Sequence, residues 1–336
     1  MISLSTILIV LLDPDTYIYI GWGICILLLA CLCWLVFRCR KGWVRVLAAF
    51  LFVLLLTAFP YGAYVAPLQL EVRHVEIAFD DLPPAFDGYT IVQFSDVHTG
   101  TMTGSRAELL KQAIDSINAQ QADMVVFTGD LQNKKPSEVM PFVDLLSSIE
   151  AKDGVFSVKG NHDYPMYIDD ENEKIFDIEY RNQVDDMIGW TVLDNCHYCI
   201  KRGTQHIYIA GMENDGDGER FPQKGNIQRA LSGIMRDEFV VMLEHDPTAW
   251  RRKILPDCHA QLTLSGHTHG GQTSLFGLSP AGLVYSEHSG LYTIADRHLY
   301  VSSGLSGVVP FRLGVTPEIV VITLRCENVR IKKCKN

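Results

Sequence analysis

Charge is missing from two long stretches of this 336-residue chain, residues 17–37 and 46–67, where no Asp, Glu, Lys or Arg occurs. Each is long enough to cross a hydrocarbon core of about 30 Å, which takes roughly 20 helical residues. Tyr17, Tyr19 and Trp22 stand at one end of the first stretch, Trp34 and Trp43 near the other, and Tyr61 and Tyr64 close the second. Such rings favour the membrane–water interface. The pattern excludes a wholly soluble chain and predicts two membrane helices. A third apolar run, residues 2–12, is too short for a regular span and stops at Asp13-Pro14-Asp15. It lacks the basic start and small-residue cleavage site of a secretory signal, so it reads as an interfacial segment or a short third span.

Basic residues are scarce beyond these segments. Arg38, Arg40, Lys41 and Arg45 lie between the two spans, which leaves residues 67–336 with 25 basic against 37 acidic side chains. Such an acidic surface with no Lys/Arg stripe argues against nucleic acid as a partner. The basic loop marks the cytoplasmic side, so two crossings put everything after Pro67 outside the cytoplasm. Paired cysteines are also short. Cys196-His197-Tyr198-Cys199 has zinc or redox spacing, but no second such pair completes a four-ligand site; a disulfide and two free thiols both stay open. No Gly-x-Ser-x-Gly elbow marks a serine nucleophile.

Beyond the spans the chain becomes a series of short apolar runs. Leu68, Leu70 and Val72, then Val75, Ile77 and Phe79, alternate with polar residues and predict strands with a register shift at Arg73-His74. Residues 90–94, 124–127 and 154–158 read as strands separated by helices at 107–119 and 137–149, an order that calls for parallel pairing with right-handed crossovers. A helix over 170–187, strands over 190–193 and 206–210, a helix over 227–235 and strands over 239–243 and 262–265 come next. Three more strands, near 299–301, 319–324 and 329–332, complete the chain.

Five of these strands end in polar, metal-competent residues: Asp96 and His98; Asp130; Asn161 and His162; His245; and His267 and His269. In open α/β sheets the carboxyl ends of the strands are where ligands bind. Within Ser265-Gly266-His267-Thr268-His269-Gly270-Gly271-Gln272, residues i and i+2 of an extended chain point to one side, so the two imidazoles could chelate one ion. The whole set is too rich in nitrogen for magnesium and suits Mn, Fe or Zn. It is also too large for one ion, but matches two ions sharing a carboxylate.

The order Asp-x-His, Gly-Asp, Gly-Asn-His-Asp, an isolated His and Gly-His-Thr-His resembles the calcineurin-like metallophosphoesterases over roughly residues 85–325. Gly-His-Thr-His-Gly-Gly-Gln, with Gly304, Pro310-Phe311-Arg312 and Pro317-Glu318-Ile319, is similar to the membrane-associated bacterial phosphodiesterase branch. The resemblance implies an α/β (α+β) fold, a four-layer β-sandwich flanked by helices, in residues 68–336, with residues 1–67 as its membrane anchor. It implies that Asp96, His98 and His269 hold one metal, that Asn161, His245 and His267 hold the other, and that Asp130 bridges them. His162 would contact the phosphate and assist the leaving oxygen, with Asp163 as its partner. Two divalent ions about 3.5–4 Å apart would clamp the phosphoryl oxygens and activate a bridging water. The implied protein is a multi-pass inner-membrane phosphodiesterase facing away from the cytoplasm, in contact with membrane lipid and acting on an envelope or lipid-linked phosphoester. Cleavage of a nucleotide-linked glycolipid pyrophosphate is the alternative, disfavoured by the loop charges, followed by a non-catalytic metal-binding membrane protein. Segments 99–105, 164–170, 214–220 and 274–289 are where specificity would reside.

Overall fold

A computed structural model describes residues 13–327 other than 167, 169 and 220. The run at 2–12 and the strand expected at 329–332 lie outside the described residues. Two helices, α1 (Pro14–Arg38) and α2 (Gly42–Tyr64), form a hairpin. Asp13 caps α1 by accepting from the Asp15 N–H, and Pro14 sits where a missing N–H costs nothing. Both helices are long and apolar enough to cross a membrane, and almost none of their apolar surface is covered by the rest of the chain. At the end near the sheets Trp22 packs edge-on against Phe59, and its Nε1–H donates to the Tyr64 hydroxyl at 2.8 Å.

Beyond the hairpin lie two six-stranded sheets. One has the order β1 (Glu71–Phe79), β12 (Glu318–Cys326), β2 (Thr90–Phe94), β3 (Met124–Phe127), β4 (Val155–Ser157), β5 (Thr191–Val192). The other runs β10 (Gly290–Ile294), β11 (Arg297–Val301), β9 (Leu262–Ser265), β8 (Val240–Leu243), β7 (Gln205–Gly211), β6 (Cys196–Arg202). The two-residue period of each strand sorts its side chains between layers. Ile91, Met124, Val126, Val241, Leu243, Leu262, Leu264, Val320 and Ile322 meet in the core between the sheets. Val92, Phe94, Val125, Phe127, Ile319 and Val321 face outward onto α3 (Ser105–Ala119) and α4 (Glu171–Ile188) through Leu110, Ile114 and Val184. Val240, Met242, Leu299 and Val301 cover the opposite face with Trp250 and Ile254. The result is the four-layer α/β sandwich.

Three expectations need correction. β1 pairs with β12 without interruption from Glu71 to Phe79, so no register shift occurs at Arg73-His74. The apolar parity changes because Val72 faces the outer layer while Val75, Ile77 and Phe79 face the inter-sheet core. Residues 137–149 form two 3₁₀ turns and one helical turn, Val143–Leu146, rather than a full helix. The helix expected over 227–235 is only Ile227–Ala230. Of the two alternatives open for Cys196 and Cys199, the structure has the free thiols: the motif is part of β6, where residues three apart point to opposite faces.

Candidate metal centre and active site

Strands β2, β3 and β4 are parallel to one another, as are β7, β8 and β9, so the carboxyl ends of both series open onto one edge of the sandwich. Buried Gln93 ties the two sheets there, donating from Nε2 to Thr128 Oγ1 at 3.2 Å and to the Ser265 carbonyl at 2.9 Å. The backbone then turns sharply. Asp96, His98, Asp130, His267 and His269 all have positive φ, a region that costs a side chain about 1 kcal/mol or more and that persists where surroundings enforce it. Close approach makes glycine obligatory beside them. A Cβ on Gly160 would lie 2.3 Å from Asp130 Oδ1, and one on Gly266 would lie 2.4 Å from Asp96 Oδ2.

All the residues singled out from the sequence come together at this edge. The Asp96 carboxylate accepts from the His267 N–H at 3.1 Å and lies 3.6 Å from His269 Nδ1. Asp130 Oδ2 stands 3.5 Å from His98 Nε2 and 3.2 Å from His245 Nε2. His267 Nδ1 lies 2.8 Å from Asn161 Oδ1. Three ligand groupings emerge: Asp96, His98 and His269; Asp130, His245 and His267; and His98, Asp130 and His162, each with its donor atoms within 4.8 Å of one another. Asp130 belongs to two of them. One nitrogen on several rings is already engaged: His245 Nδ1–H donates to the Thr128 carbonyl at 2.7 Å, and His162 Nδ1–H to the Asn133 carbonyl at 2.6 Å. His98 Nδ1 lies 3.2 Å from Asn133 Oδ1. Two inward nitrogens, His98 Nε2 and His269 Nδ1, are buried without a hydrogen-bond partner, and His245 Nε2 faces Asp130 Oδ2 at 3.2 Å. A buried lone pair left so costs free energy unless something accepts it, and a divalent cation fits this need.

Electrostatics agree. Burial lowers His98 to about 3 and holds His269 well below the usual imidazole range, which leaves their lone pairs free. Burial, reinforced by the Asp130 charge, raises Asp96 to about 7. For His245 burial acts downward, but Asp130 and Asp96 outweigh it and raise the ring to about 10. Without ions, that ring's proton is the positive charge the two carboxylates rely on, and a bound cation would replace it.

Asp163 differs from its expected part as the partner of His162. Its carboxylate accepts from four backbone N–H groups, those of Asp130 (2.9 Å), Leu131 (3.0 Å), Gln132 (3.2 Å) and Gly160 (2.9 Å), and lies 3.4 Å from Arg181 Nη1. It shapes the turn that carries Asp130, while Asn133 positions His162. Asn133 and Tyr285, whose hydroxyl is 3.2 Å from His267 Nε2, went unrecognised in the sequence. Asn133 comes three residues after Asp130, which was the available signal. Tyr285 lies in segment 274–289, expected to carry specificity, but nothing in the sequence singles it out there. A cleft of about 280 Å³ opens over the cluster, lined by Asp130, Asn161, His162, His267 and His269 together with Phe221 and Tyr285.

Comparison with known proteins adds four findings. The family model described as calcineurin-like phosphoesterase matches residues 89–271. A Bacillus subtilis (strain 168) protein described as the uncharacterized metallophosphoesterase YkuE is 31% identical over 277 residues, covering 80% of this chain and 90% of that protein. A Danio rerio transmembrane protein with metallophosphoesterase domain is 29% identical over 273 residues, which cover 79% of this chain and 60% of that longer protein. A solved dimetal phosphatase from Danio rerio overlays at 15% identity with a TM-score of 0.38, covering 66% of this chain and 90% of that one, a likeness too low to argue from.

Proposed function

The chain belongs to the calcineurin-like phosphoesterase family, and from that premise we propose that it is a membrane-anchored two-metal phosphodiesterase. The observation that carries the reading is the convergence of two unpartnered, buried imidazole nitrogens, His98 Nε2 and His269 Nδ1, with His245, His267, Asp96 and Asp130 beneath a cleft that also holds His162. In this reading Asp96, His98 and His269 hold one divalent ion, Asn161, His245 and His267 the other, and Asp130 serves both. Mn, Fe and Zn all suit such mixed oxygen and imidazole donors. The ions would supply Lewis-acid polarisation of the phosphoryl group and an activated water.

The chain's own residues do the rest. Thr128 and Asn133 fix the ring orientations, which keeps the inward nitrogens aimed at the cluster. His162 has its Nδ1–H committed to the Asn133 carbonyl, so a second proton, on Nε2, would be the one donated toward the phosphate and the oxygen that departs. Asp163 holds the Asp130 turn. No Lys or Arg is among the described residues lining the cleft, so the two ions would have to meet the phosphoryl charge without help from a basic side chain there; a diester carries one negative charge and a monoester two, and the diester is the class proposed. Residues 1–67 act as the anchor and 68–336 as the catalytic unit, which the basic loop at 38–45 orients away from the cytoplasm. An envelope or lipid-linked phosphoester is then the accessible substrate.

The test is metal analysis of the purified full-length protein, combined with turnover of bis-p-nitrophenyl phosphate and of p-nitrophenyl phosphate. Two divalent ions per chain and preferential hydrolysis of the diester are expected. A protein with both metals and no activity on any phosphoester would overturn the catalytic reading, and preference for the monoester would overturn the diester assignment.

A further inference from the structure

Residues 275–284 expose Leu275, Phe276, Leu278, Leu283 and Val284, with Phe276 and Leu283 almost wholly uncovered. No other ten-residue stretch among the described residues outside α1 and α2 presents as many exposed large apolar side chains. The backbone makes the feature more pointed. Leu275 and Leu278 exchange N–H···O bonds of 3.0 Å, so Phe276 and Gly277 form the tip of a two-residue hairpin with φ of 53° and 80°. Asn-Gly or Asp-Gly is the favoured pair for such a turn. A left-handed φ is costly for a bulky aromatic whatever surrounds it, and the exposed ring is unfavourable in water unless something apolar covers it.

The segment's position says what covers it. It hangs directly from the metal-site loop: Ser279 Oγ donates to the Gly270 carbonyl at 2.7 Å, and Leu283 and Val284 lie between Ala281 and Tyr285, which line the cleft. The same loop is tied to the membrane hairpin. Gln272 Nε2 donates to the Phe311 carbonyl at 3.0 Å, Ser274 N–H to the Leu313 carbonyl at 2.8 Å, and Arg312 N–H to the Gly62 carbonyl of α2 at 2.9 Å, while Phe311 packs on Phe59 with ring centroids 5.7 Å apart. Tyr61, Tyr64, Tyr17 and Trp22 lie at that end of the hairpin, so this is where the bilayer surface lies if α1 and α2 span it. We infer that residues 275–284 form an interfacial loop whose apolar tips rest in the bilayer surface spanned by α1 and α2, so that the cleft takes phosphodiesters carried on membrane lipids. The inference rests on the reading of the site as a phosphodiesterase; the loop's contact with lipid does not.

The experiment places a photo-crosslinking benzoylphenylalanine at position 276 of the full-length protein in phosphatidylethanolamine–phosphatidylglycerol vesicles. Position 50 in α2 serves as the lipid-exposed control, and position 198, half exposed on β6, as the solvent control. Lipid adducts at 276 approaching those at 50 are expected. Labelling at 276 no greater than at 198, or capture of a second copy of the chain in place of lipid, overturns the loop assignment. A second measurement reads the substrate class: in F276S/L283S the ratio of vesicle-phospholipid to bis-p-nitrophenyl phosphate turnover should fall about tenfold or more, as two large apolar anchors are lost. An unchanged ratio overturns the lipid-substrate assignment. Adduct formation needs no turnover, so a protein that labels lipid yet hydrolyses no diester refutes the phosphodiesterase reading and leaves the loop standing.

Discussion

Replacing Asp163 by Asn keeps the shape of the side chain and removes half of what it does. Oδ2 accepts from the N–H groups of Asp130 and Gly160, and Oδ1 from those of Leu131 and Gln132, with Arg181 beside it. An amide has one oxygen, so in D163N two of the four N–H groups face an NH₂ group. Each lost charge-assisted hydrogen bond is worth about 1.5–3 kcal/mol. Arg181 is buried and keeps Asp185 at 2.9 Å, so its charge is not wholly abandoned. The sum, about 3–6 kcal/mol, is comparable to the usual cost of breaking a buried ionic contact. For a domain of this size that corresponds to a melting shift on the order of 10 °C. The turn bearing Asp130 loosens with it, and removal of such an outer support typically lowers metal affinity about 10- to 100-fold. Thermal unfolding of the metal-loaded protein and metal titration read the two effects. If Asp163 instead served His162, D163N would keep its metals and its melting temperature and lose only turnover. That outcome would refute the structural role of Asp163.

His162→Ala is the complement. It should retain both ions and lose about 10²- to 10⁴-fold in diester turnover; unchanged turnover in a metal-replete protein would remove His162 from the chemistry. His267→Ala and His269→Ala should each lose metal, but at different positions, read as distinct stoichiometry and spectra after cobalt substitution; identical loss would restore the one-ion chelate that the spacing alone suggests. Far from the site, burial pushes Asp123 up, but the Thr90 backbone N–H, Arg202 and Lys152 outweigh it and lower its carboxyl to about 2. Its folded value lies below its unfolded value near 3.9, so its contribution is present above about pH 4 and is lost as pH falls toward 2. D123N should therefore be less stable than the parent at neutral pH, with the gap closing over that acid window in a pH series of unfolding midpoints. A constant gap would mean the carboxylate's charge is irrelevant.

Much of this arrangement can be read along the chain. The stretches empty of charge stand out because a helix in lipid leaves no place for ions, and they coincide with α1 and α2. The strand cores stand out because each side of a sheet imposes a period of two. Polar residues directly after those runs, from Asp96 to His269, mark the sheet edge because in parallel strands the carboxyl ends must lie together.

Other features depend on contacts between residues far apart in sequence. Val72 and Val75 point to opposite faces by the strand period, but that each face of β1 meets an apolar layer is decided by the elements packed on either side of it. The Asp163 carboxylate is claimed by backbone N–H groups 31 to 33 residues away, and that of Asp96 by an N–H 171 residues away. Asn133 orients two rings because the turn after β3 folds over the site, and Tyr285 reaches His267 from a loop with no periodicity. The identity and order of the candidate ligands are thus set by the sequence, since they are covalent facts expressed through local periods. Which ring nitrogens turn inward, and which carboxylate joins the cluster while another only shapes the backbone, are set by tertiary structure, because each depends on a lone pair meeting, or missing, a partner across the fold.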